Sequence, residues 1–304
     1  MTTQQLTDSA KARRSQGGPS VLVGIVTRNR ANILPKSIQS ALVQSYPNVR
    51  VIVFDNCSDD RTPELRSEFP NIEWYRAESH CGFVEARNYL MRSSQDDYYI
   101  SLDDDAWFVG GDEIALAIEH LEKNPRVAAV GFDILTPDFP QSAPRSASYP
   151  VQMFIGCGHV IRLSSLRDVG LYTPSPGFYG SEEKDLSLRM LDSGWTVNLL
   201  PGVHVWHDRT SVARDAAAQH ASGVCNDLVF ALRRCPVPLI LAVLPVKLFN
   251  HLRFAVRRRL VAPCLLGLWL FCRHGLMVLK SRQPVRAEAF REFVRLARRN
   301  TCAS

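Results

Sequence analysis

The sequence has no uninterrupted apolar segment near the ~18 residues that a membrane-spanning helix requires. Its longest apolar runs, Cys235–Val246 and Leu260–Cys272, contain 12 and 13 residues and end at charged side chains. We therefore predict that neither run is long enough to cross a bilayer. The first 20 residues contain no apolar run, so no secretory signal is predicted either.

Closely spaced cysteine pairs are also absent, although the 304 residues include eight cysteines. A disulfide scaffold is therefore not expected, and the chain is predicted to be an intracellular protein with reduced thiols. Hydrophobic residues make up 46% of the chain and charged residues 22%, which is typical of globular proteins. This composition excludes a disordered, collagen-like or coiled-coil protein and allows one large domain or two ordinary ones.

Acidic residues are scarce at one end of the chain. From Phe230 to Ser304 there are 15 lysines and arginines but only two acids, Glu288 and Glu292, a net charge of +13. The total charge is +6, so the first 229 residues carry −7. Such asymmetry indicates that the two parts face different partners.

Short hydrophobic strands alternate with helical segments in the first part of the chain. We predict the strands and helices Val21–Val26, Ile33–Gln44, Val49–Phe54, Asn71–Arg76, Gly82–Arg92 and Tyr98–Leu102. This alternation is the pattern of a doubly wound α/β sheet, whose ligand site lies beyond the carboxyl ends of the strands. Polar clusters follow three of these strands, at residues 27–30, 55–56 and 103–105.

The triplet Asp103-Asp104-Asp105 is the most informative of these clusters. Three adjacent carboxylates repel one another, and a bound divalent cation would remove that conflict. Oxygen ligands favour hard ions such as Mg²⁺, Mn²⁺ or Ca²⁺. The sequence has neither a Walker phosphate loop nor a G-x-G-x-x-G fingerprint between a strand and a helix. A phosphorylated ligand at this edge would therefore be held through the metal.

Several motifs resemble, in order, those of family 2 glycosyltransferases with the GT-A fold. They are Ile25–Arg30, Val53–Asp60, Cys81–Asn88, Ser101–Ala106, Gly156–Arg162, Val169–Tyr172, Gly180–Arg189, Gly194-Trp195 and Val205–His207. The resemblance is closest to bacterial rhamnosyltransferase-like enzymes that build cell-surface polysaccharides. It implies a GT-A mixed sheet and an inverting, metal-dependent transfer of a sugar from a nucleoside diphosphate.

The resemblance also implies individual roles around the donor. Thr27 and Asp55 would read the base, with UDP or dTDP preferred. Asp103 and Asp105 would form the DxD pair, with Asp105 a direct ligand of Mn²⁺ or Mg²⁺ and Asp103 or Asp104 near the ribose. The remaining implied positions are Arg87 beside the diphosphate, Arg30 in the donor site and His207 beside the metal. His204 is offset by an odd number of residues and is predicted to be structural.

An inverting transfer requires a carboxylate base for the acceptor hydroxyl. The resemblance places this base in the pair Glu182-Glu183, which follows the loop Gly177–Gly180 and precedes a D-L-x-x-R run. The family usually has Asp at the second position, where this chain has Glu183. We favour Glu183 as the base, with Glu182 as the alternative.

The basic C-terminal part combines short apolar stretches with arginines, Trp269 and Phe271. This pattern is typical of helices that lie in the headgroup plane of an anionic membrane. No nucleic-acid recognition motif is visible, so a nucleic-acid partner is not expected. We predict a flexible tail at 1–19, a GT-A domain at 20–225 and a basic amphipathic helical region at 226–304. The enzyme would act on a glycan or lipid-linked acceptor, bound peripherally to the inner face of the cell membrane.

Two other functions stay open at this stage. A sugar-phosphate nucleotidyltransferase would carry a glycine-rich phosphate loop after the first strand, and residues 27–32 contain no glycine. A catalytically silent sugar-nucleotide-binding or membrane scaffold protein would have no physical reason to keep clustered charge at Asp103–Asp105 and Glu182-Glu183.

Overall fold

The computed structural model describes residues 18–141, 147–209 and 215–301. They divide into two compact units. The first contains residues 18–141, 147–171 and 193–209, and the second contains residues 172–192 and 215–301. Apart from Gly18 and Pro19, the predicted tail lies outside the described residues, and the predicted domain boundaries stay a prediction.

The first unit is built on one mixed sheet. Its strands are β1 (Val21–Thr27), β2 (Val49–Asp55), β3 (Glu73–Arg76), β4 (Tyr98–Asp103), β5 (Ala106–Phe108), β6 (Val127–Leu135), β7 (Tyr149–Pro150), β8 (Gly158–Arg162) and β9 (Thr196–His207). The order across the sheet is β3-β2-β1-β4-β8-β6-β9-β5, and β7 also pairs with β9. Strands β1 to β4 pair in parallel, as do β6 and β9, whereas β8 runs antiparallel to both β4 and β6.

Helices follow the parallel strands of this sheet, as the sequence pattern predicts. They are α1 (Leu34–Leu42), α2 (Leu65–Glu68), α3 (Phe83–Ser93), α4 (Glu113–Lys123) and α5 (Leu166–Val169). The apolar faces of α1 and α4 contribute Leu34, Ile38 and Ile114 to the core beneath the sheet. The mixed α/β architecture is confirmed, and the strands predicted from β-branched runs begin and end within two residues of the observed ones.

The second unit is helical. Its helices are α6 (Glu182–Asp192), α7 (Ala216–Arg234), α8 (Val237–Arg258), α9 (Val261–Lys280) and α10 (Ala287–Thr301). Asp215 caps α7, since its carboxylate accepts hydrogen bonds from the N–H groups of Ala217 and Ala218. Helix α9 packs closely on α7, because a Cβ atom at Gly267 would lie 2.5 Å from the carbonyl oxygen of Ala221.

The prediction that the two apolar runs are too short to span a membrane is wrong as to length. The runs are parts of α8 and α9, which contain 22 and 20 residues with mean hydropathies of 1.6 and 1.5. Single polar or charged residues such as Lys247 interrupt the apolar run without ending the helix, because they have good helix propensity. Length and composition would therefore allow both helices to cross a bilayer.

A buried ion pair joins β2 to the segment that precedes β4. The guanidinium of Arg50 contacts Asp96 at 2.6 Å and Glu73 on β3 at 3.2 Å. The side chains of Arg50 and Asp96 are only 5% and 3% exposed. Removing one partner of such a pair leaves an uncompensated buried charge.

We expect Arg50→Gln to lower the free energy of unfolding by about 3–5 kcal/mol, because the Asp96 carboxylate loses its partner. Urea denaturation followed by circular dichroism measures this loss. Arg61→Gln is the matched control, since the Arg61–Glu64 pair is 73% and 65% exposed. A similar loss in both variants would contradict a special role for the buried pair.

Candidate active site

The carboxyl ends of three neighbouring strands meet at one edge of the sheet. The register pairs Thr27 of β1 with Asp55 of β2, and Val26 with Asp103 of β4. Thr27, Asp55 and the aspartate triplet are thereby brought to the same edge, where open α/β sheets bind their ligands.

Each member of the triplet has a different partner. Arg87 on α3 donates a hydrogen bond to Asp103 at 2.6 Å and a second one to the carbonyl of Gly156 at 3.2 Å. The Thr27 hydroxyl donates to Asp104 at 2.8 Å. Burial raises the pKa of Asp104 to about 7, although nearby Arg30 and Thr27 favour its charged form. Burial, more than repulsion from the neighbouring aspartates, is thus the main reason that the Asp104 carboxyl holds its proton more readily than a free aspartate.

Asp105 lies between a histidine and an arginine. His207 Nε2 is 3.2 Å from one of its carboxylate oxygens, and Arg30 Nη1 is 3.6 Å from the other. The antiparallel pairing of β5 with β9 places Ala106 opposite His207, which brings the end of β9 beside the triplet. The sequence alone could not predict this pairing, because it joins segments about 100 residues apart.

Asp103, Asp105 and His207 form the arrangement best suited to a metal ion. One ligand atom from each of the three side chains lies within 4.8 Å of the other two. Ligands on opposite sides of one Mg²⁺ ion are ~4 Å apart, since each metal–oxygen distance is ~2.1 Å. Carboxylates suit both Mn²⁺ and Mg²⁺, whereas imidazole is a ligand preferred by transition metals, so of these two ions the set favours Mn²⁺. The residues therefore fit a single divalent ion.

The loops after β1 and β2 are fastened to each other by polar contacts. The Ser58 hydroxyl accepts a hydrogen bond from the N–H of Asn29 at 2.9 Å, and the Asn29 side chain accepts from the N–H of Asp59 at 2.9 Å. Asn29 and Cys57 have φ angles of 57° and 59°, in the left-handed region that asparagine tolerates better than most residues. These contacts fix the loop that carries Arg30.

Asp55 is buried and held by two donors. One carboxylate oxygen accepts from the N–H of Ser58 at 2.9 Å, and the other accepts from Arg76 at 2.7 Å. The sequence analysis did not single out Arg76. Its position could have been found, because it ends β3, and β3 is parallel to β2 at the same edge.

His159 lies fully buried on β8, where it stacks on Phe154 with ring centroids 4.2 Å apart. Burial, with the positive charge of Arg87, lowers the pKa of His159 to about 3. Its ring therefore stays neutral, which makes it a packing element behind Arg87. His204 lies 3.9 Å from Asp133, so its ion-pair partner differs from that of His207.

Glu182 and Glu183 begin α6 in the second unit. Before them, Gly180 and Ser181 have φ angles of 95° and 77°. The preceding loop is anchored by Asn226 of α7, which accepts from the N–H of Gly177 and donates to the carbonyls of Gly177, Tyr179 and Gly180. The sequence analysis missed Asn226, because nothing local marks a side chain that serves a distant loop.

The chain is similar to known glycosyltransferases in sequence. Residues 22–170 match the model of glycosyl transferase family 2. An uncharacterized glycosyltransferase of Haemophilus influenzae is 30% identical over 99 residues, which cover 33% of each chain. The putative teichuronic acid biosynthesis glycosyltransferase TuaG of Bacillus subtilis is 26% identical over 125 residues, 38% of this chain and 49% of TuaG. The matches thus span a third to a half of these curated relatives.

Solved structures show the same fold at low identity. Staphylococcus aureus TarS 1–349 in complex with UDP-GlcNAc aligns with a TM-score of 0.58 and 15% identity, covering 76% of this chain and 73% of that one. The mannosyltransferase PcManGT of Pyrobaculum calidifontis, in complex with GDP-Man and Mn²⁺, aligns at 0.57 and 15%, covering 90% and 83%. These alignments confirm the predicted GT-A fold.

We expect Mn²⁺ to bind at the site of Asp103, Asp105 and His207, and Asp105→Asn to weaken that binding by at least about tenfold, because one carboxylate charge is lost. Electron paramagnetic resonance of free Mn²⁺ measures the affinity. Asp59→Asn is the control, since Asp59 is an exposed acid of the neighbouring loop. Equal Mn²⁺ affinity of both variants and the wild type would contradict the site.

Proposed function

We propose that this chain, whose residues 22–170 match the model of glycosyl transferase family 2, is an inverting, metal-assisted enzyme that moves a sugar from a nucleoside diphosphate to an acceptor hydroxyl. The observation that carries the proposal is the meeting of Asp103, Asp105 and His207 at the carboxyl edge of the sheet. Thr27 and Asp55 lie in register with them on the adjoining strands.

In this proposal the donor diphosphate lies at the aspartate edge. Asp103, Asp105 and His207 would hold Mn²⁺ or Mg²⁺, which supplies positive charge where the leaving diphosphate becomes more negative. Arg30 contacts Asp105 at 3.6 Å and Arg87 contacts Asp103 at 2.6 Å, so both guanidinium groups lie beside the position proposed for the diphosphate. Arginine is suited to a diphosphate, since it stays charged and binds oxygen anions in fixed geometry.

We further propose that Thr27 and Asp55 read the base, with Asp55 accepting the ring N–H of uracil or thymine, and that Asp103 or Asp104 lies near the ribose. Arg76 and the N–H of Ser58 hold the Asp55 carboxylate in one orientation. The oxygens of Asp55 that accept from Ser58 and Arg76 keep lone pairs for a ring N–H, which uracil, thymine and guanine carry and which adenine and cytosine lack. The TarS complex contains UDP-GlcNAc, whereas the PcManGT complex contains GDP-Man. Asp55 therefore disfavours adenine and cytosine, and the preference for UDP or dTDP over GDP rests on the resemblance of the motifs to family 2 glycosyltransferases.

Glu183 is the proposed base that takes the proton of the acceptor hydroxyl, and Glu182 is the alternative. Both carboxylates lie in the first turn of α6, after a loop that Asn226 fixes. Asp185 in the same turn is already held by Arg189 at 2.8 Å and Arg234 at 2.6 Å, and these cations keep the pKa of its buried carboxyl below the usual range. Asp185 therefore supports the helix and is a poor proton acceptor.

We expect Glu183→Gln to lower turnover by about 10²–10⁴ with donor affinity nearly unchanged, because glutamine keeps the size of glutamate but accepts no proton. Release of nucleoside diphosphate from a panel of nucleotide sugars with Mn²⁺ measures turnover, and calorimetry measures donor affinity. Glu288→Gln is the matched control, since Glu288 lies exposed in the first turn of α10.

The same assay separates the alternatives. If Glu182→Gln alone loses activity, the base is Glu182 and not Glu183. A wild type that binds nucleotide sugars but never turns them over would support the silent binding protein. Release of pyrophosphate from a nucleoside triphosphate and a sugar phosphate would support the nucleotidyltransferase, and either result would overturn our proposal.

We also propose that α8 and α9 associate with an anionic membrane surface, at the cytoplasmic face where a glycan or lipid-linked acceptor is presented. Only 6% and 17% of their apolar windows are buried in the protein. The exposed side chains include Leu241, Phe249, Leu265, Trp269 and Leu276. Apolar exposure of this extent marks a binding surface rather than ordinary solvent-facing protein.

Charge favours a position in the membrane plane over a spanning one. Lys247 lies near the middle of α8 and pairs with Asp227 of α7 at 2.7 Å. A spanning α8 would carry this ion pair into the hydrocarbon core, where each central charge costs several kcal/mol. Arg257, Arg258 and Arg259 at the end of α8 would instead meet anionic headgroups, each contributing ~1 kcal/mol.

We expect the protein to float with vesicles that contain phosphatidylglycerol and to be released by 1 M salt, because the Debye length falls from ~10 Å at 0.1 M to ~3 Å at 1 M. Liposome flotation at both salt concentrations measures this binding, and pure phosphatidylcholine vesicles are the control. Flotation that depends on neither lipid charge nor salt would instead indicate insertion into the bilayer. No flotation with any vesicle would contradict the proposed membrane association.

A further inference from the structure

The second unit contains a cavity that the proposed donor site does not use. Its volume is about 520 Å³, within the ~300–1,000 Å³ range of small-molecule sites. The cavity lies between the Tyr179-Gly180 loop, helix α7 and helix α8. The loop is the one that leads into Glu182 and Glu183, so the cavity is built from the same segment that carries the proposed base.

Positive charge is in excess at one wall of the cavity. Asp227 is contacted by Lys184 at 2.5 Å, by Lys247 at 2.7 Å and by His251 Nε2 at 3.0 Å. Although burial opposes ionisation, the hydrogen bond from His251 and the charges of both lysines hold the pKa of Asp227 well below its usual range. Lys247, His251 and Asp227 line the cavity, whereas Lys184 contacts Asp227 from outside the lining. Because Lys184 also pairs with Asp227, that carboxylate does not fully balance the charge of Lys247, and an anion in the cavity would complete the balance.

A buried nitrogen in the cavity wall has no partner among the described residues. His220 Nε2 is buried without a hydrogen bond, and the imidazole ring stacks on Phe254 with centroids 5.6 Å apart. Burial, together with nearby His251, lowers the pKa of His220, so the ring is neutral at physiological pH. A neutral imidazole still donates one N–H, and leaving it unsatisfied costs ~1–3 kcal/mol.

The remaining wall is apolar and continues onto the exposed surface of α8. Tyr179, Val224 and Phe254 line the cavity, and Tyr179 and Phe254 are about half exposed. Phe249 and Leu252 of the same helix are exposed beyond it. A ligand that fits both walls has an anionic group and an apolar chain.

We propose that this cavity binds the phosphoryl group of a lipid-linked acceptor, with Lys247 and His220 as its polar contacts and the exposed face of α8 beside the lipid chain. This inference rests on the proposed glycosyl transfer, because it names the acceptor class of that reaction. The sugar end of such an acceptor would then lie beside the Tyr179-Gly180 loop, next to α6.

The test compares vesicles of phosphatidylcholine doped with hexadecyl phosphate or with palmitate at equal surface charge. We expect the protein to bind hexadecyl phosphate vesicles about tenfold more tightly than palmitate vesicles, because a phosphate group offers three acceptor oxygens to the N–H donors of the cavity where a carboxylate offers two. Lys247→Gln should remove this preference. Lys123→Gln is the matched control, since it makes the same substitution at an exposed lysine outside the cavity and outside α8 and α9, and it should keep the preference.

A second variant avoids disturbing the Asp227 ion pairs. A Cβ atom at Gly223 meets no atom within 4 Å, and Gly223 lines the cavity, so Gly223→Leu should fill it and abolish the preference. Gly275→Leu on α9 has the same free space without lining the cavity and should be neutral. Circular dichroism and Mn²⁺-dependent donor binding check that each variant is folded.

The proposal would be overturned if the wild type bound both kinds of vesicle equally. It would also be overturned if each variant and its control lost the preference for hexadecyl phosphate to the same extent. A third contradicting result would be that inorganic phosphate displaces the protein from hexadecyl phosphate vesicles as strongly as free hexadecyl phosphate does. The last would indicate a site for free phosphate. The proposed glycosyl transfer is tested by a separate readout. If the protein is not a glycosyltransferase, it will release no nucleoside diphosphate, whereas its binding to hexadecyl phosphate vesicles can still be measured.

Discussion

The first unit is organised around three consecutive carboxylates at the end of β4. Like charges this close are unfavourable unless each one has a partner. Asp103 is met by Arg87, Asp104 by Thr27, and Asp105 by Arg30 and His207. These partners come from α3, β1, the following loop and β9, so the strand order and the antiparallel return of β9 are required to assemble them. Burial is the main cause of the raised pKa of Asp104, and a divalent ion bound at the triplet would favour the charged form of its carboxylates.

In the second unit two largely buried carboxylates are separate from one another, and each is paired with lysine or arginine side chains. Asp185 and Asp227 are each surrounded by cations from helices that are distant in sequence, and these ion pairs tie α6, α7 and α8 together. The apolar side chains of α8 and α9 are meanwhile left largely exposed. The charges of Asp185 and Asp227 are therefore paired, and the apolar surface of α8 and α9 is the part left for the membrane contact proposed above.

The sequence was most informative where a local pattern determines the structure. β-branched runs predicted β1 and β2, and the polar residues after them predicted the ligand edge, because parallel strands share that edge. Pairings between distant segments were not predictable in this way: examples are the position of β8 between β4 and β6 and the anchoring of the 177–180 loop by Asn226. The lengths of α8 and α9 were underestimated, because only uninterrupted apolar residues were counted. Lys247 and Arg273 end the apolar runs, but both helices continue through these residues.

The affinity for UDP in the presence of Mn²⁺ and in the presence of EDTA, measured by calorimetry on the full-length protein, tests the central claim most directly. If Asp103, Asp105 and His207 form a metal-dependent nucleotide site, Mn²⁺ should tighten UDP binding by about a hundredfold, or ~2.7 kcal/mol. Equal affinities in Mn²⁺ and EDTA would contradict the account.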